Sequence, residues 1–296
     1  MKTSAPAACR TCLTRLRKFQ VRTLRAPARG RQRASWCRAA EGSGAPEDKD
    51  SVPDSLPFMG TGADWRQARA ALVASEKQKD GSARPIAEGG MWAHAISKAE
   101  RGCLLIAHPL MFTANQTYFF RAVILMFEHD EEGSAGIIIN KPTRFTLGSV
   151  GGAEAFLPEM ENRPLMLGGD VGRDTLHCVH TCSAIASRDV GVPGLYMGGT
   201  MQAKEAVRSG DARPEDFNFF TRYAGWAGGQ LDEEVQAGVW FVAAASKEVC
   251  MMGEHETGAA MWHKVLELMG GEYAELSAAV AQDYDKDIME GDSEGN

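Results

Sequence analysis

Three places in the 296-residue chain carry side chains of a kind and spacing that could do chemistry. His129, Asp130 and Glu131 stand between two apolar runs, "RAVILMF" and "GIIIN", so they fall in the loop of a hairpin, and Asn140 ends its second strand. Gln230 and Glu234 are four apart in "GGQLDEEVQAG" and project from one face of a short helix, just after Trp226 in a glycine-rich turn. If that turn packs over the hairpin loop, His129, Asn140, Gln230 and Glu234 converge on one polar pocket walled by Trp226. His129 and Glu234 would then be the candidate base and acid of a hydrolase. The blander alternative gives the same groups to backbone donors and acceptors, many of which a sharply bent sheet leaves unpaired around its tight turns.

The third place is "HCVHTC", residues 177–182. In an extended strand Cys178, His180 and Cys182 share a face, but positions four apart are separated by roughly 13 Å, too far for one tetrahedral zinc or a disulfide. No metal and no cofactor is therefore expected, and these residues read as buried fillers. His177, on this separate strand, joins the candidate ligand-binding residues. Enzyme signatures are missing: there is no Gly-x-Ser-x-Gly and no phosphate-binding Gly-x-x-x-x-Gly-Lys, and "GEHETG" lacks the second His of a zinc-protease helix.

The elements that must position these residues follow from periodicity and punctuation. "CLLIAH" and "RAVILMF" are continuous apolar strands, as is "GIIIN", closed by Lys141-Pro142, so both faces of the sheet are expected to be covered. Further strands are expected at "PLMLGG", "TLHCVH", "GLYMGG", "FNFFTRYAG" and "VWFVAAA". Helices are expected at 201–209 with Thr200 as cap and Gly210 as stop, at 231–237, and at 258–269 between Thr257 and Gly270. Upstream, Asp64 can cap a helix at 65–78 whose Trp65, Ala68 and Leu72 fall on one face. Strands and helices are interspersed without βαβ alternation, which favours a single α+β domain.

Charge divides the chain. Residues 1–40 hold eleven of its 32 basic residues and none of its 39 acidic ones, so the remainder carries 21 basic against 39 acidic residues, a net of −18. An Arg-rich, acid-free start without an apolar core region is the pattern of an organellar transit peptide, expected to be removed near Ala39 or Ala40; a basic arm for nucleic acid or an anionic membrane is the alternative. The chloroplast stroma is the expected compartment, with the mitochondrion second. Residues 41–63 read as an acidic disordered linker, 64–101 as an N-terminal helical extension, 102–275 as the compact domain and 276–296 as an acidic disordered tail. The longest apolar runs, "AVILMF" and "VWFVAAA", are strand-sized and well short of the roughly 18 residues of a membrane span. A net of −18 repels phosphate backbones, so no nucleic-acid partner is expected. Four cysteines after residue 40 indicate a reducing compartment.

Five segments in order, "GCLLIAHP", "FFRAVILMFEHDEEGSAGIIINKP", "PLMLGGDV", "TLHCVH" and "RYAGWAGGQLDEEVQAGVW", resemble the AlgH/YqgE family of bacterial proteins and their plastid-targeted relatives, over about residues 102–252. His129, Asp130, Asn140, His177, Trp226, Gln230 and Glu234 all fall on motif positions. The resemblance implies an α+β domain whose strongly bent mixed sheet folds into a pseudo-barrel flanked by helices, and it implies no activity, since the family has no agreed one. Two departures stand out: Asp170 where the pattern usually has Pro, and Arg222 where Gly usually precedes Tyr-Ala-Gly-Trp. Two functional classes follow: a binding or regulatory module acting on a stromal protein or a small molecule through the Trp226 pocket, or an enzyme of unrecognised type using His129 and Glu234.

Overall fold

A computed structural model of the protein describes residues 66–72, 90–112, 118–150, 158–254 and 257–283. The expected transit peptide and linker, Asp64 and Trp65, His255, and the acidic run after Asp283 lie outside the described residues. Eleven strands form one sheet: β1 (Ala93–Ala95), β2 (Leu104–Ala107), β3 (Val123–His129), β4 (Gly133–Ile138), β5 (Pro142–Thr146), β6 (Pro164–Leu167), β7 (Val171–His180), β8 (Arg188–Asp189), β9 (Tyr196–Met197), β10 (Phe217–Ala227) and β11 (Trp240–Ala245). The helices are α1 (residues 66–72), α2 (Pro158–Glu161), α3 (Thr200–Ser209), α4 (Gln230–Gln236), α5 (Lys247–Met251), α6 (Gly258–Met269) and α7 (Glu272–Asp283). The architecture is α+β, and among the described residues no helix is long and apolar enough to cross a membrane.

The sheet runs β1-β11-β2-β3-β4-β10-β7-β9-β8, with β6 joining β10 and β5 joining β6. All pairings are antiparallel except β10 with β6, which makes the sheet mixed. β10 is its hinge. Phe217–Thr221 pair with β7, Phe219–Thr221 also pair with β6, and beyond a bulge Ala224–Ala227 pair with β4. Arg222 sits in the bulge with φ +66°, a left-handed conformation that costs a side-chain-bearing residue about 1–2 kcal/mol. Gly168 and Gly169 lie directly on the backbone of Arg222 and Tyr223, where any Cβ would collide. The sheet bends here but is not closed into a barrel, since β1 and β8 end the hydrogen-bonded path.

Continuous apolar strands are covered on both faces, as their composition requires. Leu104, Ile106, Val123, Leu125 and Ile137 enter one core with Val249, Cys250, Met261, Trp262 and Val265 of α5 and α6. The alternate residues Cys103, Leu105, Ile124, Met126 and Ile138 enter a second core with Leu231 of α4, Trp226 and Trp240. A third core gathers Cys178, Cys182, Phe217 and Phe219 under Ala203 and Ala206 of α3. Each fully buried Leu or Ile contributes roughly 1.5–3 kcal/mol, so two-sided burial makes this the most stable part of the sheet.

Several expectations need correction. In α1 the buried residues are Arg66 and Ala70, while Ala68 is exposed and Leu72 is 65% exposed; among the described residues a guanidinium seated on backbone carbonyls, together with Ala70 packed in a cluster with Trp92 and Ala244, docks this helix. "MWAHAI" supplies the edge strand β1, paired Ala93 to Ala245, so the sheet starts upstream of Gly102. Helix α7 passes residue 275 because Leu276 and Val280, one turn apart, are buried in the first core. Helix α3 is capped by Gly199 at φ +63°, with Thr200 as its first residue, because Ile185 leaves no room for a side chain at 199. Pro142 does not end the chain's sheet contribution: it opens β5, which pairs with β6.

Candidate functional site

The turn between β3 and β4 is only three residues long, and Asp130 builds it: its Oδ1 accepts from the backbone N–H of Glu132 (2.9 Å) and of Gly133 (3.1 Å). Across the sheet His129 faces Ser134, and Ser134 faces Trp226, so these three side chains share the face on which α4 lies. The glycine turn does pack over the hairpin turn. A Cβ on Gly133 would stand 2.7 Å from the Trp226 carbonyl, and one on Gly228 would strike the Glu131 carbonyl, so both positions need glycine for close backbone approach. Gly229, at φ +75°, then starts α4.

Two separate arrangements result, where the sequence suggested one pocket. In the first, the His129 Nδ1 is 2.8 Å from the Ser134 Oγ and its Nε2 is 3.8 Å from the Asp232 Oδ1. His129, Asp130, Glu131, Gly229 and Asp232 line an open depression of about 470 Å³. In the second, Glu234 is held by three donors. The indole N–H of Trp226 (2.9 Å) and that of Trp240 (2.8 Å) both donate to its Oε2, and the Gln230 amide donates to its Oε1 at 2.9 Å. Gln230 in turn accepts from the Ala227 N–H at 3.2 Å, which ties the end of β10 to the start of α4. The two indoles meet edge to face, 6.1 Å between centroids and 83° between planes.

The two arrangements lie on opposite flanks of α4, since Leu231 and Val235 point into the core between the Asp232 side and the Glu234 side. His129 and Glu234 therefore do not pair as base and acid. Both oxygens of Glu234 are taken by donors of the scaffold, and it takes no part in lining the depression. Trp226, 8% exposed, is core and not rim.

Asn140 and His177 belong to neither arrangement. Asn140 is fully buried; its amide donates to the carbonyls of Arg121 (2.9 Å) and Gly258 (2.7 Å), and its Oδ1 accepts from the Val123 N–H at 3.0 Å. It ties the start of β3 to the end of β4 and to the N-terminus of α6. His177 lies between Phe127 and Tyr223, ring centroids 6.2 and 5.8 Å away, and burial pushes its pKa down. The four described cysteines are free and buried, and burial raises the thiols of Cys103 and Cys250 to about 12. Strand β7 stops at His180, and the Thr181 N–H turns to the Asp216 carbonyl. Among the described residues no three His, Cys, Asp or Glu side chains meet as ligands of one metal ion.

A model of the AlgH-like family matches residues 104–274, which spans more than half of the chain. The chain belongs to the AlgH-like family. A UPF0301 protein of Chlorobaculum parvum is 38% identical over 176 residues, covering 58% of this chain and 88% of that one. A UPF0301 protein of Chlamydia pneumoniae is 34% identical over 185 residues, covering 61% and 93%. The solution structure of AlgH from Pseudomonas aeruginosa, UPF0301, is 23% identical with a TM-score of 0.43, covering 63% of this chain and 92% of that one. Within the AlgH-like domain three contributors to the site escaped sequence reasoning. They are Trp240, Ser134 and Asp232, none of which the sequence singles out as a candidate. The pairing of Ser134 with His129 was accessible once the hairpin turn was shortened to three residues; the Trp240–Glu234 bond joins two elements and has no local signature.

Proposed function

We propose that this AlgH-like protein is a soluble binding module of the chloroplast stroma, and that its ligand is a basic group on a partner protein or small molecule, received at the depression beside the glycine turn. The observation that carries this reading is the lining: one imidazole and the three acidic residues Asp130, Glu131 and Asp232, arranged on two backbone turns that glycines hold in contact. Asp232 is half exposed and points past His129, so its charge is available to a cation from solvent. The net of −18 after residue 40 adds a long-range field that draws basic ligands and repels polyanions. A binding role fits the lack of any nucleophile-base signature in the sequence and the separation of His129 from Glu234.

The test is a titration of the chain from residue 41 with a short lysine-rich peptide, followed through the ring resonances of His129. Saturable shifts are expected at low salt, weakened at high salt and abolished in Asp232→Asn combined with Glu131→Gln, two exposed positions whose loss leaves the fold intact. Unchanged His129 resonances would refute the reading. The compartment is tested separately by N-terminal sequencing of the endogenous protein: a start within residues 39–41 is expected, and an intact Met1 or Lys2 rules the transit peptide out.

A further inference from the structure

Ser134 decides which nitrogen of His129 meets the depression. Strand pairing sets residue 134 opposite residue 129, and the hydroxyl of this buried serine lies 2.8 Å from Nδ1. Nε2, on the other side of the ring, is thereby turned toward Asp232 of α4, with 3.8 Å between it and Oδ1. That separation is longer than a hydrogen bond, so the two atoms are neighbours without being bonded. The imidazole is 18% exposed and the Asp232 side chain 54% exposed, so one wall of the gap is held by the sheet and the other opens to solvent.

The gap has the dimensions of a seat for one donor nitrogen. Two acceptors 3.8 Å apart are both reached by an N–H group placed about 2.9 Å from each. Nε2 is an acceptor when the ring is neutral and its proton sits on Nδ1, where the Ser134 oxygen accepts it. Protonation at Nε2 puts an N–H and positive charge into that same gap, and the ring itself then becomes the partner of Asp232. The other groups around the ring offer it no cation. The hairpin turn contributes Asp130 and Glu131, β4 contributes the neutral Ser134, and the Trp226 indole of β10 is given to Glu234. Arg188 pairs with Glu128 at 3.1 Å, and Glu128, one residue from His129 along β3, points to the opposite face of the sheet.

We propose that the ligand's basic group is a protonated amine seated between Nε2 of neutral His129 and Oδ1 of Asp232, so that ligand and proton compete for one place; this rests on the reading of the depression as a receiver of basic groups. The amine donates one N–H to each acceptor. At a pH where the empty site holds the imidazolium, seating the amine releases that proton to solvent, and a fall in pH expels the amine. The coupling is reciprocal: the factor by which the imidazolium weakens the amine is the factor by which the amine weakens proton binding at His129.

The experiment uses the full chain and an N-acetylated tetralysine amide at constant low ionic strength. The ring resonances of His129, identified by their loss in His129→Gln, are followed between pH 8 and pH 6 with and without saturating peptide. The peptide should move the midpoint of the His129 titration to lower pH, and its affinity at pH 6 should be at least about threefold weaker than at pH 8. His129→Gln keeps an acceptor but does not titrate, so its affinity, whatever its size, should be the same at both pH values while every carboxylate titrates as before. A norleucine counterpart of the peptide should move nothing. Saturable binding at pH 8 with an unmoved His129 midpoint, or an equal loss at pH 6 in His129→Gln, overturns the shared seat and leaves the depression a receiver of basic groups. Absence of saturable binding at pH 8 overturns both. Where His129→Gln binds too weakly to compare, the midpoint in the native chain decides.

Discussion

Replacing Glu234 tests the reading of the second arrangement as a structural receptor for two tryptophans. In Glu234→Ala the indole N–H groups of Trp226 and Trp240, whose residues are 8% and 3% exposed, lose their common acceptor. A buried donor left unsatisfied costs about 1–3 kcal/mol, so two cost roughly 2–6 kcal/mol. Glu234 is itself only partly buried, and water entering the gap can serve one indole, which places the expected loss in the lower half, about 2–3 kcal/mol. The bond from exposed Gln230 adds at most roughly 0.5 kcal/mol. Glu234→Gln separates the parts: its oxygen can still face both indoles, but its amide N–H₂ meets that of Gln230, for a cost of about 1 kcal/mol. Urea unfolding followed by circular dichroism measures both variants. If Glu234→Ala unfolds within roughly 0.5 kcal/mol of the native chain, the carboxylate is not what fixes the tryptophans, and its availability for chemistry would have to be reopened.

Three further outcomes are expected. Asn140→Leu should cost at least about 3 kcal/mol in urea, because it strands two backbone carbonyls and the Val123 N–H in a site with no exposure; a smaller loss would show that water or rearrangement replaces the amide. Arg222→Gly should be about 1 kcal/mol more stable than Arg222→Ala, although both lose the 3.0 Å bond to the Tyr118 hydroxyl, because only glycine relieves the left-handed φ of +66°; Ala equal to or better than Gly would refute it. Burial lowers the pKa of His108, His177 and His180 in the folded chain, so at acid pH the unfolded chain binds more protons. Stability should be flat above pH about 6.5 and fall as pH drops below it; melting points between pH 7.5 and 5.5 check this, and His180→Leu should flatten the slope.

How far the sequence exposes this fold depends on whether a signal is local. The strands of the β3–β4 hairpin, the first part of β10 and the stops at Gly210 and Gly270 were legible because apolar runs and glycines act within a few residues of themselves. Helix α1 was legible as a helix but not in its orientation. Helical periodicity ranks faces by apolar content, and here the deciding contact is an arginine reaching carbonyls 35 and 125 residues away. The same limit applies to the candidate site. Spacing alone put Gln230 and Glu234 on one face, which the structure bears out, since they bond at 2.9 Å. It could not tell that His129 meets the opposite flank of the same helix, because that depends on which residues α4 buries.

That burial separates the two arrangements by chemistry as well as by place. Leu231, at 1% exposure, anchors α4 to the second core and fixes its rotation, so Asp232 must face the hairpin turn while Glu234 must face the indoles. On the indole side every oxygen has a donor and the carboxylate is committed to structure. On the hairpin side the nearest contact from His129 to Asp232 is 3.8 Å, longer than a hydrogen bond, and the depression opens to solvent. A group that already has its partners gains little from a ligand, whereas a half-exposed carboxylate 3.8 Å from the imidazole can gain one. Of the two polar clusters flanking α4, the indole-bound one is scaffold, and the other differs from it in having a place that a ligand can take.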